Sequence, residues 1–361
     1  MNPSHIRNFA IIAHIDHGKS TLADRIMEQT QTVNDRDSKA QLLDDLAVEQ
    51  AHGVTVKSRT VRNYYHADDG QEYEYNFIDT PGHVDFTYEV SKSLAASDGA
   101  ILLVDATQGV QAQTVANLRL AQANHLVVIP VINKIDAAAA EVDRTAEQIR
   151  ALSPEFEEAT MLKISAKTGR NVHDVLEAIY TTIPAPTGEV KQPLKALVFD
   201  SQYDAFKGII AYVRLLDGTL QANDQLLLMA NQQVVSANEI GIFAPQRVAV
   251  KQLSVGDVGY VVTGLKDPQA LRVGDTLTTA ANPTATALPG YQPAQSMVFA
   301  GFYPQGDHYH DLQLAVEKLA LNDTSFHYHA ENSEALGAGF RCGFLGIFHL
   351  QIIRERLHDE Y

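Results

Sequence analysis

The sequence predicts a multidomain fold of the α/β-plus-β class: a mostly parallel α/β domain, then a β-barrel, then an incomplete ferredoxin-like α+β domain. Three observations predict it. From Phe9 to about Ile183, short apolar runs alternate with longer amphipathic stretches, the pattern of βα units around a parallel sheet. From Leu194 to about Ala281, short strands are separated by the turn signals Asp217-Gly218, Asn223-Asp224, Gly256-Asp257 and Gly274-Asp275, as in a small barrel. After a proline-marked linker the order becomes β-α-β-β-α, one strand short of a ferredoxin-like unit. The expected domains are residues 1–184, 185–282 and 291–361.

In the first domain, strands are expected at Phe9–Ala13, Tyr75–Asp79, Ala100–Asp105, Val127–Asn133 and Met161–Ser165. Helical spacing covers Ser20–Gln29, Gln113–Ala123, Glu141–Ala151 and Val172–Tyr180. Val61–His66 and Glu72–Phe77 flank the turn-forming Asp68-Asp69-Gly70 and predict a hairpin. Pro184, Pro186 and Pro193 then mark a boundary, and Pro283, Pro289 and Pro293 mark a second. Beyond it, strands are expected at Met297–Tyr303, Ser325–His329 and Glu334–Gly339, with helices at Tyr309–Leu319 and Phe344–Leu357. Because the chain stops at Tyr361 without the last strand, it reads as a fragment.

Composition narrows the functional classes. At 361 residues the chain exceeds one ordinary domain, and 45% hydrophobic with 20% charged residues excludes a disordered chain. A formal net charge of -16 excludes a broad polyanion-binding surface and confines any RNA contact to local patches. The single cysteine, Cys342, cannot make an internal disulfide. The start Met1–Arg7 lacks a signal peptide's basic and apolar segments, and no apolar run approaches the roughly 18 residues of a membrane span. A cytoplasmic location is expected.

The chemistry lies at the strand ends of the first domain. Ala13-His14-Ile15-Asp16-His17-Gly18-Lys19-Ser20 follows an apolar strand and opens a helix, the setting of a phosphate-binding loop. Backbone N–H groups attract the phosphates, Lys19 reaches the β and γ oxygens, and the Ser20 hydroxyl can ligate Mg²⁺. Ala13 stands where the general pattern has glycine. Asp79-Thr80-Pro81-Gly82 ends another strand; its carboxylate can hold the metal through water, and Gly82 lets the backbone approach the γ-phosphate. Asn133-Lys134-Ile135-Asp136 addresses the base, because the Asp136 carboxylate can accept from guanine N1–H and its exocyclic amine, donors that adenine does not offer. Ser165-Ala166-Lys167 then backs the base. Thr55 lies between the first two motifs, where a hydroxyl can bind Mg²⁺ while γ-phosphate is present and let go afterwards. A lone match would be an ordinary turn; the order of all of them at successive strand ends points to GTP and GDP with Mg²⁺.

With these motifs in view, the chain resembles the translational GTPases, and among them the elongation factor 4 (LepA) family. The resemblance rests on Ala13 to Thr21, on Asp79-Thr80-Pro81-Gly82-His83-Val84-Asp85-Phe86, and on Asp200-Ser201 with Tyr203-Asp204. It continues through Phe299-Ala300-Gly301 with Tyr303-Pro304, and Ala335-Leu336-Gly337 with Gly339 to Gly346, so it covers essentially the whole chain. It implies a ribosome-bound GTPase built of a P-loop G domain, a β-barrel, two ferredoxin-like domains and a family-specific C-terminal domain, of which this chain holds two and most of a third. His83 matches the catalytic histidine that positions the attacking water, with Lys19 and Thr55 beside it. Asp16 matches a position associated with a monovalent cation, and Thr21 belongs to the nucleotide loop. The partners implied are ribosomal RNA and proteins, tRNA indirectly, and for some members the inner face of the cytoplasmic membrane; no stable oligomer is implied. Two roles stay open, remodelling of tRNA positions and late ribosome assembly. Weak ribosome stimulation is expected of a chain lacking the later domains. Gln50, Ala51 and His52 replace the family's usual acidic and arginine residues, and Val54 its isoleucine.

Competing readings fit the residues less well. A translocase or ribosome-protection factor would carry different third-domain motifs, and a GTP-binding scaffold that hardly hydrolyses would not need Thr55 and His83. The run Gly337 to Gly343 is no dinucleotide fingerprint, since no βαβ unit follows. His308, His310, His327 and His329 are read as solvated positions rather than a metal site.

Overall fold

The computed structural model describes residues 2–32, 49, 55–267, 270–290, 294–306 and 308–361. Gln50, Ala51, His52 and Val54 lie outside the described residues.

The first domain is a doubly covered sheet. Its elements are β1 (Ile6–Ala13), α1 (Lys19–Gln29), β2 (Arg59–His66), β3 (Glu72–Asp79), α2 (Thr87–Ala95), β4 (Gly99–Asp105), α3 (Ala112–Ala123), β5 (Val127–Asn133), α4 (Val142–Arg150), β6 (Leu162–Lys163) and α5 (Val172–Thr182). The strand order is β2-β3-β1-β4-β5-β6, parallel except for the β2–β3 hairpin. Every residue of β1 and β4 is buried, and the stretches Phe9–Ala13 and Ala100–Val104 within them read as continuous apolar runs. One core gathers Phe9, Leu22, Tyr75 and Leu176; the opposite face packs Ile12, Leu94, Leu118 and Ile149. All strand C-termini that carry the motifs therefore point to one edge, where such folds bind ligands. The expected Met161–Ser165 strand shrinks to Leu162–Lys163, and α2, which the sequence reading did not mark, follows the Asp79–Phe86 loop.

Ten short strands follow: β7 (Lys195–Asp204), β8 (Gly208–Asp217), β9 (Thr219–Gln221), β10 (Gln225–Leu228), β11 (Gln233–Ser236), β12 (Glu239–Phe243), β13 (Arg247–Ala249), β14 (Gln252–Ser254), β15 (Val258–Val262) and β16 (Thr276–Thr279). They form an eight-stranded antiparallel sheet, β11-β10-β16-β7-β8-β15-β12-β13, and a β14–β9 pair. Val198, Val213, Leu220, Leu226, Leu253 and Leu277 from both sheets converge in one core, so the strands wrap a common interior as expected of a barrel.

The third domain has β17 (Val298–Phe302), α6 (Tyr309–Asn322), β18 (His327–Ser333), β19 (Gly337–Phe344) and α7 (Ile347–Glu360) in an antiparallel sheet of order β17-β19-β18. This corrects two expectations. The strand expected at Glu334–Gly339 begins at Gly337 and runs to Phe344, and the following helix starts at Ile347. Glycines are poor strand formers on their own, but pairing of β19 with neighbours on both sides overrides that preference. Cys342 lies in this core beside Phe340 and Phe344, where burial pushes its thiol up to about 12, a packing residue rather than a nucleophile.

The barrel is fastened to the first domain through buried polar contacts. Arg62, held within the first domain by Glu74 at 3.1 Å, reaches Asp257 of the barrel at 2.8 Å, Lys92 pairs with Asp200 at 3.1 Å, and Asn8 donates to the Gly256 carbonyl at 3.0 Å. Burial raises the Glu74 carboxyl to about 7 against the pull of Arg62.

Candidate functional site

Every loop singled out in the sequence meets at one edge of the first sheet. Gly18 has φ +98° and caps α1; a Cβ there would overlap the Asn133 side chain, which instead donates to the His17 carbonyl at 2.9 Å. Asn133 also accepts from Ala166 N–H at 2.9 Å, so one amide ties the phosphate loop to the base-binding loop. Gly18→Ala adds steric overlap to an unfavourable φ, and a loss of about 1–3 kcal/mol of stability with weakened nucleotide binding is expected, read by thermal unfolding and a nucleotide titration.

Lys19 begins α1 and is buried. Its ammonium donates to Asp79 Oδ1 at 2.6 Å and to Thr55 Oγ1 at 2.8 Å, with Thr55 Oγ1 3.4 Å from Asp79 Oδ2. Residues expected to serve phosphate and metal are thus brought together from three separate segments. Ser20 follows on α1, half-buried, and Thr21 is exposed. Gly82 faces the phosphate loop: a Cβ on it would stand 3.8 Å from Ile15 N.

The base-side residues are equally assembled. Lys134, in the left-handed region at φ +61°, donates to the Asp16 carbonyl at 2.6 Å and pairs with Asp105 Oδ2 at 2.8 Å. Burial would raise Asp105, but hydrogen bonds from Lys134 and Thr107 outweigh it and hold the carboxylate below its ordinary range. Asp105 was not singled out in the sequence, although its place at the end of β4 was the available signal. Asp136 is exposed, and a hydrogen bond from the Ser165 side chain holds its carboxyl below the usual range. Arg25 of α1 donates to the carbonyls of Ala166 at 3.0 Å and Lys167 at 2.9 Å, fixing this loop beside the phosphate loop.

His17, expected in the nucleotide loop, turns its ring inward. Its ring is buried with Nε2 unpartnered, and burial lowers its pKa to about 4, so the neutral ring packs inside the loop. The unfolded chain takes up a proton near pH 6.5 that the folded ring refuses until about 4. Stability supplied by His17 is therefore full above pH 6.5 and falls as pH drops towards 4. The stability difference between the parent and His17→Gln is expected to narrow between pH 7 and 5, by roughly 1–2 kcal/mol, in denaturant titrations.

His83 follows Gly82 in a short turn, 23% exposed. Its Nδ1 accepts from Asp85 N–H at 3.1 Å, and its ring lies 4.7 Å from that of Phe348 in the third domain. Sequence reasoning missed this contact, which joins distant segments. Among the described residues, His308, His310, His327 and His329 join no metal-sized group; Asp68, His173 and Glu177 do, and Tyr65 already hydrogen-bonds with the last two.

No helix among the described residues is long and apolar enough to cross a membrane. Residues 4–185 match the family described as elongation factor Tu GTP binding domain, and residues 208–278 match elongation factor Tu domain 2. Over 361 residues the chain is 66% identical to elongation factor 4 2 of Lactiplantibacillus plantarum, covering 100% of this chain and 61% of the relative. It is 51% identical over 360 residues to elongation factor 4 of Bacillus subtilis, covering 99% of this chain and 58% of that one. The chain therefore spans about three fifths of the length of these curated relatives. A crystal structure from Thermus thermophilus shares the fold, with a TM-score of 0.75 at 20% identity over 99% of this chain and 66% of that one. Since the first match spans residues 4–185, half of the chain and the whole of its first domain, the chain belongs to the elongation factor Tu GTP binding domain family.

Proposed function

We propose that the chain binds GTP with Mg²⁺ and hydrolyses it to GDP as part of a ribosome-dependent factor of the elongation factor 4 type. The observation that carries this reading is the meeting of Lys19, Thr55 and Asp79 at hydrogen-bond distance beside the phosphate loop. In this arrangement Lys19 spends its charge on Asp79. A nucleotide's phosphates would draw the ammonium to themselves and free the Thr55 and Asp79 oxygens.

Those oxygens with Ser20 make a hard donor set that suits Mg²⁺, Asp79 acting through water. The Lys19 ammonium lies between the Asp79 and Thr55 oxygens, which supports reading the place as one that suits positive charge. When bound, Mg²⁺ neutralises phosphate charge during phosphoryl transfer. Asp136 and the Ser165-Ala166-Lys167 loop select guanine, Gly82 presents its N–H towards the γ-phosphate, and His83 orients the attacking water. A monovalent cation beside Asp16, ribosomal and indirect tRNA contacts and a peripheral contact with the cytoplasmic membrane are supported by the resemblance alone. So is the role, which is to drive or proofread tRNA and ribosome states or to act in ribosome assembly.

The test follows GTP turnover over a ribosome titration for this chain and for a chimera carrying the remaining domains of the Bacillus subtilis relative. Strong, saturating stimulation of the chimera and weak stimulation of the chain are expected. No stimulation of the chimera would overturn the ribosome reading, and equal stimulation of both would place the coupling surface within residues 1–361.

A further inference from the structure

The third domain reaches both loops that surround the proposed γ-phosphate position. Lys57, just after Thr55, donates to the Asn322 carbonyl at the end of α6. Asp85, just after His83, accepts from the backbone N–H of Phe348 at 2.8 Å and of His349 at 3.3 Å, so a carboxylate of the first domain caps the N-terminus of α7. A Cβ at Gly346 would overlap the Asp85 carboxylate, so the approach depends on glycine at the start of that helix. Around this cap, Val56 and Phe86 of the first domain pack against Ile352, Leu345 and Phe348.

The cap is itself braced. His349 is fully buried; its Nδ1 accepts from Leu345 N–H at 3.0 Å and its Nε2 meets Asp323 Oδ2 at 3.0 Å. Burial would raise Asp323, but the hydrogen bond from His349 and the neighbouring Lys57 outweigh it and hold the carboxyl below its usual range. The first turn of α7 therefore moves with α6 as one piece.

From this geometry we infer that Asp85 is a positioning residue that couples the third domain to His83. Its carboxylate grips α7, its own N–H takes His83 Nδ1, and Phe348 of the gripped turn lies against the His83 ring. With both grips closed, His83 is parked against the third domain. A displacement of α7 releases the ring to turn towards the phosphate loop. This rests on the catalytic role proposed for His83, but the coupling itself has a readout that needs no nucleotide.

The experiment labels histidine in the full 361-residue chain, follows the His83 ring signals by NMR, and measures GTP affinity and ribosome-free turnover in parallel. Asp85→Ala and Phe348→Ala are each expected to shift the His83 signals and to raise turnover about three- to tenfold, the net worth of about one hydrogen bond or one aromatic contact, with GTP affinity within about twofold of the parent. The double variant should gain no more than the larger single effect. Asp85→Asn, which keeps an acceptor for the Phe348 N–H, should restore most parental behaviour. Unchanged His83 signals in both alanine variants would overturn the coupling, and shifted signals with lowered turnover would overturn the parked state. A parent that binds no GTP would instead overturn the proposed function, while the ring signals would still decide the coupling.

Discussion

Asp136→Asn is expected to lower GTP affinity by about 10²-fold or more and to move the preference towards xanthosine triphosphate. In the proposed reading the carboxylate would accept from two guanine donors; an amide would turn its NH₂ towards one of them, whereas xanthine offers a carbonyl in that place. Asp136 is already held ionised by Ser165 and lies beside the Lys134 and Ser165 loops, so the substitution changes the partner and leaves the scaffold alone. Paired titrations of parent and variant with the two nucleotides check it. Unchanged selectivity would remove the guanine assignment.

His83→Ala should cut ribosome-stimulated turnover of the chimera by about 10²-fold while GTP affinity stays within about twofold, because in the proposed role the imidazole would act only in the transition state. The ring packs on Phe348 and is partly exposed, and its removal opens no core cavity, so loss of folding would not explain the result. Stimulated turnover within about threefold of the parent would show that another group positions the water.

What could be read in the sequence was what local chemistry determines. The motifs at the ends of β1, β3 and β5 were legible because each follows a buried, mostly apolar strand half and opens where the chain turns out to the ligand edge. The barrel was legible from its turn dipeptides. The glycine-rich β19 was less so, because its strand state comes from pairing with β17 and β18 and not from its own composition. Long-range contacts left no local mark. Asp85 and Phe348 are 263 residues apart, and nothing near either one announces that a carboxylate of the first domain caps a helix of the third. The Arg62–Asp257 and Lys92–Asp200 pairs that seat the barrel were hidden for the same reason.

The arrangement of Lys19, Thr55, Asp79, Asn133 and Asp136 is most directly tested by equilibrium titration of the purified chain with GTP and with ATP in Mg²⁺, beside the Lys19→Ala variant. GTP is expected to bind at least about 10²-fold tighter than ATP, since in the proposed reading only guanine would satisfy Asp136, and Lys19→Ala should lose most of that binding. Equal affinities for GTP and ATP, or GTP binding that survives Lys19→Ala unchanged, would contradict a guanine-nucleotide site at this edge of the sheet.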